Sequence, residues 1–202
     1  MLPKEILEFI SKDWFEDNGG IVINKYEYNN RNLKIEIHLD SGDEDIQNQI
    51  WEIEITELKS EKLEIKWETE IEMFEEHFLL WEFIDDRTTI YFNGENENAD
   101  NLLADIYRIH RAKFGNKFEI EKYLNVCMSL SELCNSKSGL FASGPKKILE
   151  NYFLCLKKHN RKPNYENSNT TPEYKNNREK PLKLLKIGES HFVAENFAFK
   201  QK

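Results

Sequence analysis

The chain has 202 residues, enough for one sizeable core, and its apolar fraction of 39% is offset by 12% aromatics, including 13 Phe, 8 Tyr and 4 Trp. That aromatic content favours a folded domain over a disordered chain despite a mean hydropathy of -0.72. The formal net charge of -9 hides a split: residues 1–100 hold 27 acidic against 9 basic side chains, and residues 101–202 hold 10 against 19. Such asymmetry speaks of partners and solubility rather than of fold. The N-terminal Met1-Leu2-Pro3-Lys4-Glu5 lacks the apolar stretch of a signal peptide, and no run of 18 apolar residues reads as a membrane span. Three cysteines, Cys127, Cys134 and Cys155, are an odd number in apolar or helical surroundings, which points to free thiols in a reducing cytoplasm.

Residues 3–16 read as one amphipathic helix, with Ile6, Leu7, Phe9, Ile10 and Trp14 near one face and Asn18-Gly19-Gly20 as the stop. Ile21–Tyr28 reads as a strand that turns at Asn29-Asn30. Residues 32–40 alternate, with Leu33, Ile35, Ile37 and Leu39 opposite Lys34, Glu36, His38 and Asp40. After a polar loop at Ser41–Asp45, Trp51–Thr56 and Leu63–Ile71 alternate in the same way. A turn at Lys59-Ser60-Glu61 would make them a hairpin pairing Glu54 with Lys66. Phe78–Ile84 and Thr88–Asn93 read as two further strands, joined by Asp85-Asp86-Arg87.

The pattern then turns helical. Ala99–Phe114 carries helical spacing and ends at Gly115, and residues 128–135 suggest a short helix. Phe118–Leu124 fits either a short helix or an extended segment. Gly144-Pro145 opens a helix reaching His159. Residues 160–181 contain no aliphatic side chain and read as a long flexible loop. Residues 182–202 regain core character and read as strands returning to the sheet. The expected fold is a single α+β domain: an N-terminal helix, an antiparallel meander of six to seven strands, and a helical layer on one face.

Candidate chemistry is sparse. Gly139 to Gly144 has the glycine spacing of a phosphate loop, but Pro145 and Lys146 stand where Lys and Ser or Thr belong, and Pro145 lacks an N–H for a phosphate. A weak anion site at this helix start, with Lys146 and Lys147, is what remains. The five histidines are scattered, and neither a metal nor a cofactor is assigned. No nucleophile motif is present, so an enzyme is disfavoured. The basic run Lys157, Lys158, Arg161 and Lys162 carries no nucleic-acid fold signature. Nucleic acid and membrane are disfavoured as partners.

The remaining candidate is a set of glutamates, Glu52, Glu54, Glu64, Glu68, Glu70 and Glu72, expected to project from one sheet face toward a basic protein partner. The leading functional expectation is therefore a non-enzymatic, cytoplasmic protein-binding domain. Its acidic single-domain character resembles toxin-neutralising immunity proteins in a general way, with no motif carrying the likeness. The Asn-, Lys- and Ile-rich composition suggests a low-GC bacterial genome. A small-molecule or enzymatic α+β domain with a pocket between sheet and helices is the alternative, and a structural oligomer is a third.

Overall fold

The computed structural model describes residues 1–95, 98–125, 127–167 and 181–202. The fold is α+β, with six α-helices and nine strands in two antiparallel sheets among the described residues. The chain groups into two compact units, Met1–Leu80 with Asn177–Lys202, and Trp81–Asn176.

The first unit begins with two helices rather than one, α1 (Lys4–Ile10) and α2 (Asp13–Asn18). At about 3.6 residues per turn, an unbroken helix would place Phe15 on the side opposite Ile6. The break at Ser11-Lys12 lets Ile6, Phe9 and Phe15 all enter the core, with the Phe9 and Phe15 rings 5.8 Å apart. The first sheet then forms from β1 (Gly20–Asn29), β2 (Asn32–Asp40), β3 (Gln49–Lys62), β4 (Ile71–Phe74), β8 (Lys183–Ile187) and β9 (Ser190–Gln201), in the order β1-β2-β3-β9-β8-β4. The alternation in β2 holds: Leu33, Ile35, Ile37 and Leu39 are fully buried. They stand opposite Ile55, Ile53, Trp51 and Gln49 of β3. Each buried aliphatic here contributes about 1.5–3 kcal/mol of transfer free energy.

The expected hairpin between Trp51–Thr56 and Leu63–Ile71 does not form. β3 runs without a turn through Lys59-Ser60-Glu61 to Lys62, with one bulge between Leu58 and Ser60. Its second neighbour is β9, so Glu54 faces Lys34 and Ala198 rather than Lys66. The physical reason is competition. The twelve-residue β9 supplies a longer apolar partner than the adjacent segment, and local alternation does not specify which strand will pair. Residues 63–70 instead form an irregular crossing, with Ile65 59% and Trp67 53% exposed. Within it, Ile21 and Glu68 exchange both backbone hydrogen bonds, at 2.7 and 3.0 Å. This bridge ties the β1 edge to the segment that leads into β4, the other edge, so the sheet curls on itself. Burial of Leu2, Ile6, Phe9 and Phe15 with the strand residues completes its core.

The second unit starts within α3 (Phe78–Ile84). This apolar run was expected as a strand, and a short run without polar alternation is the case that periodicity cannot decide. His77 starts the helix: its carbonyl accepts from Leu80 N–H at 2.9 Å, and its Nδ1 accepts from Leu79 N–H at 3.2 Å. A small sheet follows, β6 (Ser138–Pro145), β5 (Arg87–Asn93) and β7 (Lys162–Asn167), in the order β6-β5-β7. Helix α6 (Lys146–Lys158) packs on all three strands, and α4 (Ala99–Phe114) packs on α6 and on α5 (Leu130–Asn135). Asn98 caps α4 through a 3.0 Å bond from Asn101 N–H, and a Ser129–Glu132 capping box starts α5. Phe118–Leu124 contains one 3-10 turn, Ile120–Lys122.

The expected loop at 160–181 begins instead as β7, whose lack of aliphatic residues concealed it. Its pairing with β5 and the stack of Tyr165 on Phe153, 4.3 Å between rings, hold it in place. Residues 168–180 of that loop lie outside the described residues. The C-terminal residues return to the first sheet as expected, as β8 and β9 joined by a Gly188-Glu189 turn.

Candidate functional site

The six glutamates do not form one row. Glu52 and Glu54 lie on β3, Glu72 on β4 at the sheet edge, and Glu64, Glu68 and Glu70 in the irregular crossing. Most are engaged internally. Glu52 pairs with Lys34 at 3.1 Å and Lys202 at 3.3 Å, and these two lysines hold its carboxyl below the usual range. Glu64 sits between Lys62 and Lys66, which lower it to about 2. Glu72 pairs with Lys186 at 3.5 Å. Glu68 accepts from Glu189 N–H at 3.2 Å, and its carboxylate lies where a side chain at Gly188 would go, only 1.9 Å from an ideal Cβ. With φ at +51°, the turn requires glycine at this position on conformational grounds as well. Glu54 and Glu70 remain exposed without an ion pair among the described residues.

A shallow groove of about 570 Å³ runs over the polar side of β1 and β2. Its charged lining consists of Lys25, Lys34 and Lys202 against Glu27, Glu36 and Glu52. Glu36 takes Lys202 and Lys25, the latter at 3.6 Å, so five of these six charges are neutralised within the wall.

The unneutralised acids lie elsewhere. Helix α2 carries Asp13, Glu16 and Asp17, and the β2–β3 connection carries Asp40, Asp43, Glu44 and Asp45; all but the half-buried Asp40 are exposed. The connection lies against the end of α2: an ideal Cβ at Gly42 would be 2.3 Å from the Asn18 carbonyl, and Gly42 has φ +70°. None of the seven makes an ion pair among the described residues, and neither 13–24 nor 40–58 contains Lys or Arg. The loop is fixed from within. Buried Ser41 donates its N–H to Asn48 Oδ1 at 2.8 Å, and Asp40 and Asp43 accept from Gly42 and Asp45 N–H, both at 2.9 Å. These residues were legible only as a polar loop and a helix end; their adjacency is tertiary.

In the second unit, the weak anion site at Lys146 and Lys147 already holds an internal anion. Lys147 N–H donates to Asp85 Oδ2 at 2.6 Å, and Lys146 N–H to the Asp86 carbonyl at 2.8 Å. The phosphate-loop glycines belong to strand β6 rather than to a loop. Of the basic run, Arg161 is drawn into the fold while Lys157, Lys158 and Lys162 stay exposed: Arg161 is buried, and its guanidinium donates to the Gly94 and Cys134 carbonyls and stacks over Phe92. His110 lies between Tyr152 Oη at 2.6 Å and the Phe118 carbonyl at 2.9 Å, and burial lowers its pKa.

One cluster was missed by the reading of scattered histidines. Cys155 and His159 are four residues apart, one turn of α6, a spacing visible in the sequence. Asp105 of α4 joins them, with a ligand-capable atom of each within 4.8 Å of the others. His159 Nε2 and Lys158 Nζ lie 3.0 and 2.7 Å from Asp105 Oδ2, and Arg108 engages Oδ1. Lys158 and His159 lower the Asp105 carboxyl to about 2, while burial pushes the Cys155 thiol up to about 11. The thiol is therefore a poor nucleophile as it stands.

Comparison with protein-family models, curated proteins and solved structures finds no match. No described helix is long and apolar enough to cross a membrane.

Proposed function

We propose that this chain is a non-enzymatic protein-binding domain whose acidic first unit docks a basic protein, in the manner of a cytoplasmic immunity-type protein that sequesters a toxin. The observation that carries this reading is the seven unneutralised carboxylates, three on helix α2 and four on the β2–β3 connection, which is fixed by its own hydrogen bonds. Fixed, unpaired charge steers an oppositely charged partner and loses little freedom on docking. Glu54 and Glu70 belong to the same exposed set, whereas Glu52, Glu64, Glu68 and Glu72 act inside the fold.

The test is capture from a lysate at low and high salt, followed by kinetics with the purified partner. A basic protein should be retained at low salt and released at high salt. Asp17→Lys, Asp43→Lys and Asp45→Lys together should slow its association, and Glu52→Lys, which disturbs an internal pair, should affect it far less. No basic protein retained at low salt, or unchanged association with the triple variant, defeats the proposal.

A further inference from the structure

We infer that Asp105, Cys155 and His159 form a binding site for a zinc-class divalent ion, one that takes thiolate, imidazole and carboxylate together. The three offer sulfur, nitrogen and oxygen donors from two packed helices. That mixture selects a borderline-soft ion in tetrahedral coordination over magnesium or calcium, which prefer oxygen alone. Bond lengths of about 2.0–2.3 Å place neighbouring ligand atoms roughly 3–4 Å apart. His159 Nε2 and Asp105 Oδ2 already stand at 3.0 Å, and no ligand-capable pair exceeds 4.8 Å. Side-chain rotation about α4 and α6 covers the remainder.

Ion pairing, from Lys158 across the helices and from Arg108 within α4, accounts for the cations on Asp105 but not for the thiol. Cys155 is 2% exposed and its Sγ makes no hydrogen bond among the described residues, yet it shares the cluster with the carboxylate and the imidazole. The carboxylate meanwhile collects cations: Lys158 and Arg108 both converge on it from solvent, with side chains 68% and 72% exposed. Lys158 thus marks where positive charge is favoured, and such exposed pairs are cheap to release. On ion entry, Lys158 swings into solvent and the Cys155 thiol gives its proton to water. The imidazole binds through Nε2 with its own proton on Nδ1. Three protein ligands leave a fourth position for water.

Cobalt(II) titration of the full chain in a Cys127→Ser background, which removes the exposed thiol, tests this. One equivalent should give a thiolate-to-cobalt charge-transfer band with the visible bands of a tetrahedral ion, displaced by zinc. His159→Ala and Asp105→Asn should weaken binding more than about tenfold, and Cys155→Ser should abolish the charge-transfer band. Lys158→Ala, an exposed change compatible with folding, should tighten binding because it removes the competing cation. The absence of a charge-transfer band, its persistence in Cys155→Ser, or binding by Lys158→Ala no tighter than the parent overturns the site.

Discussion

The two compact units solve the same problem differently. The first buries mainly aliphatic side chains between a curled six-stranded sheet and two short helices, and keeps its charges on the outside, some paired across strands and some left unpaired. The second lays α6 on three short strands, with α4 packed on α6 and on α5, and takes polar groups inside: His110 with Tyr152, Arg161 with two carbonyls, Tyr123 with Glu82. Their charge balance also differs from the sequence halves. The first unit holds 24 acidic and 14 basic residues, net -10, and the second 13 and 14, net +1. The basic C-terminal strands return to the acidic sheet, and Lys202 and Lys186 pair with Glu36, Glu52 and Glu72 there. Charge along a chain is therefore a poor map of charge on a surface; what matters is which carboxylates the fold leaves without a counter-ion.

The strongest way to break this comparison is through the aliphatic core. Ile53→Ala removes a fully buried side chain paired between Ile35 and Phe199. It should cost about 2–5 kcal/mol, read by hydrogen exchange in β2, β3 and β9. Next is Arg161→Met, which leaves the Gly94 and Cys134 carbonyls without their donor. A loss of about 1.5–3 kcal/mol by denaturant unfolding is expected, and a neutral result would mean that buried polar groups do not hold the second unit.

Acid should separate the units further. His110 has a lowered pKa in the folded state because burial disfavours its charged form. Its stabilising contribution is thus complete above the unfolded value of about 6.5 and is lost as pH falls toward the folded value. Glu52 and Glu64 have lowered values because lysines favour their charged forms, so their contribution is complete above 4.5 and is lost only below it. Exchange protection around His110 should therefore decline between pH 7 and 5 while the sheet of the first unit holds. A flat profile in α4 and α6 over that range would remove the argument. The smallest effects distinguish glutamates from aspartates. Glu68→Ala, which releases the Glu189 N–H at the β8–β9 turn, should cost about 0.5–1.5 kcal/mol. Asp45→Lys should change stability by no more than about 0.5 kcal/mol, since it makes no ion pair. Parallel thermal melts would show the two.

Much of this was legible in the chain. The α+β class, strand β2, helix α4 with its stop at Gly115, the start of α6 directly after Pro145 and the return of the C-terminus all follow from local rules: period two, period 3.6, and the conformational preferences of Gly and Pro. The Cys155–His159 spacing was also there to be read. Partner choice was not. Alternation in Leu63–Ile71 looks like that in Trp51–Thr56, yet the side of β3 not taken by β2 pairs with β9, because pairing depends on segments far apart in the chain competing for one edge. Likewise, whether a glutamate faces water or a lysine depends on the strand that lies beside it. Composition and periodicity determined the α+β class, the long periodic elements and the number of charges. Non-local pairing decided which apolar runs became strands, which carboxylates stayed unpaired, and that Asp105 would meet Cys155 and His159.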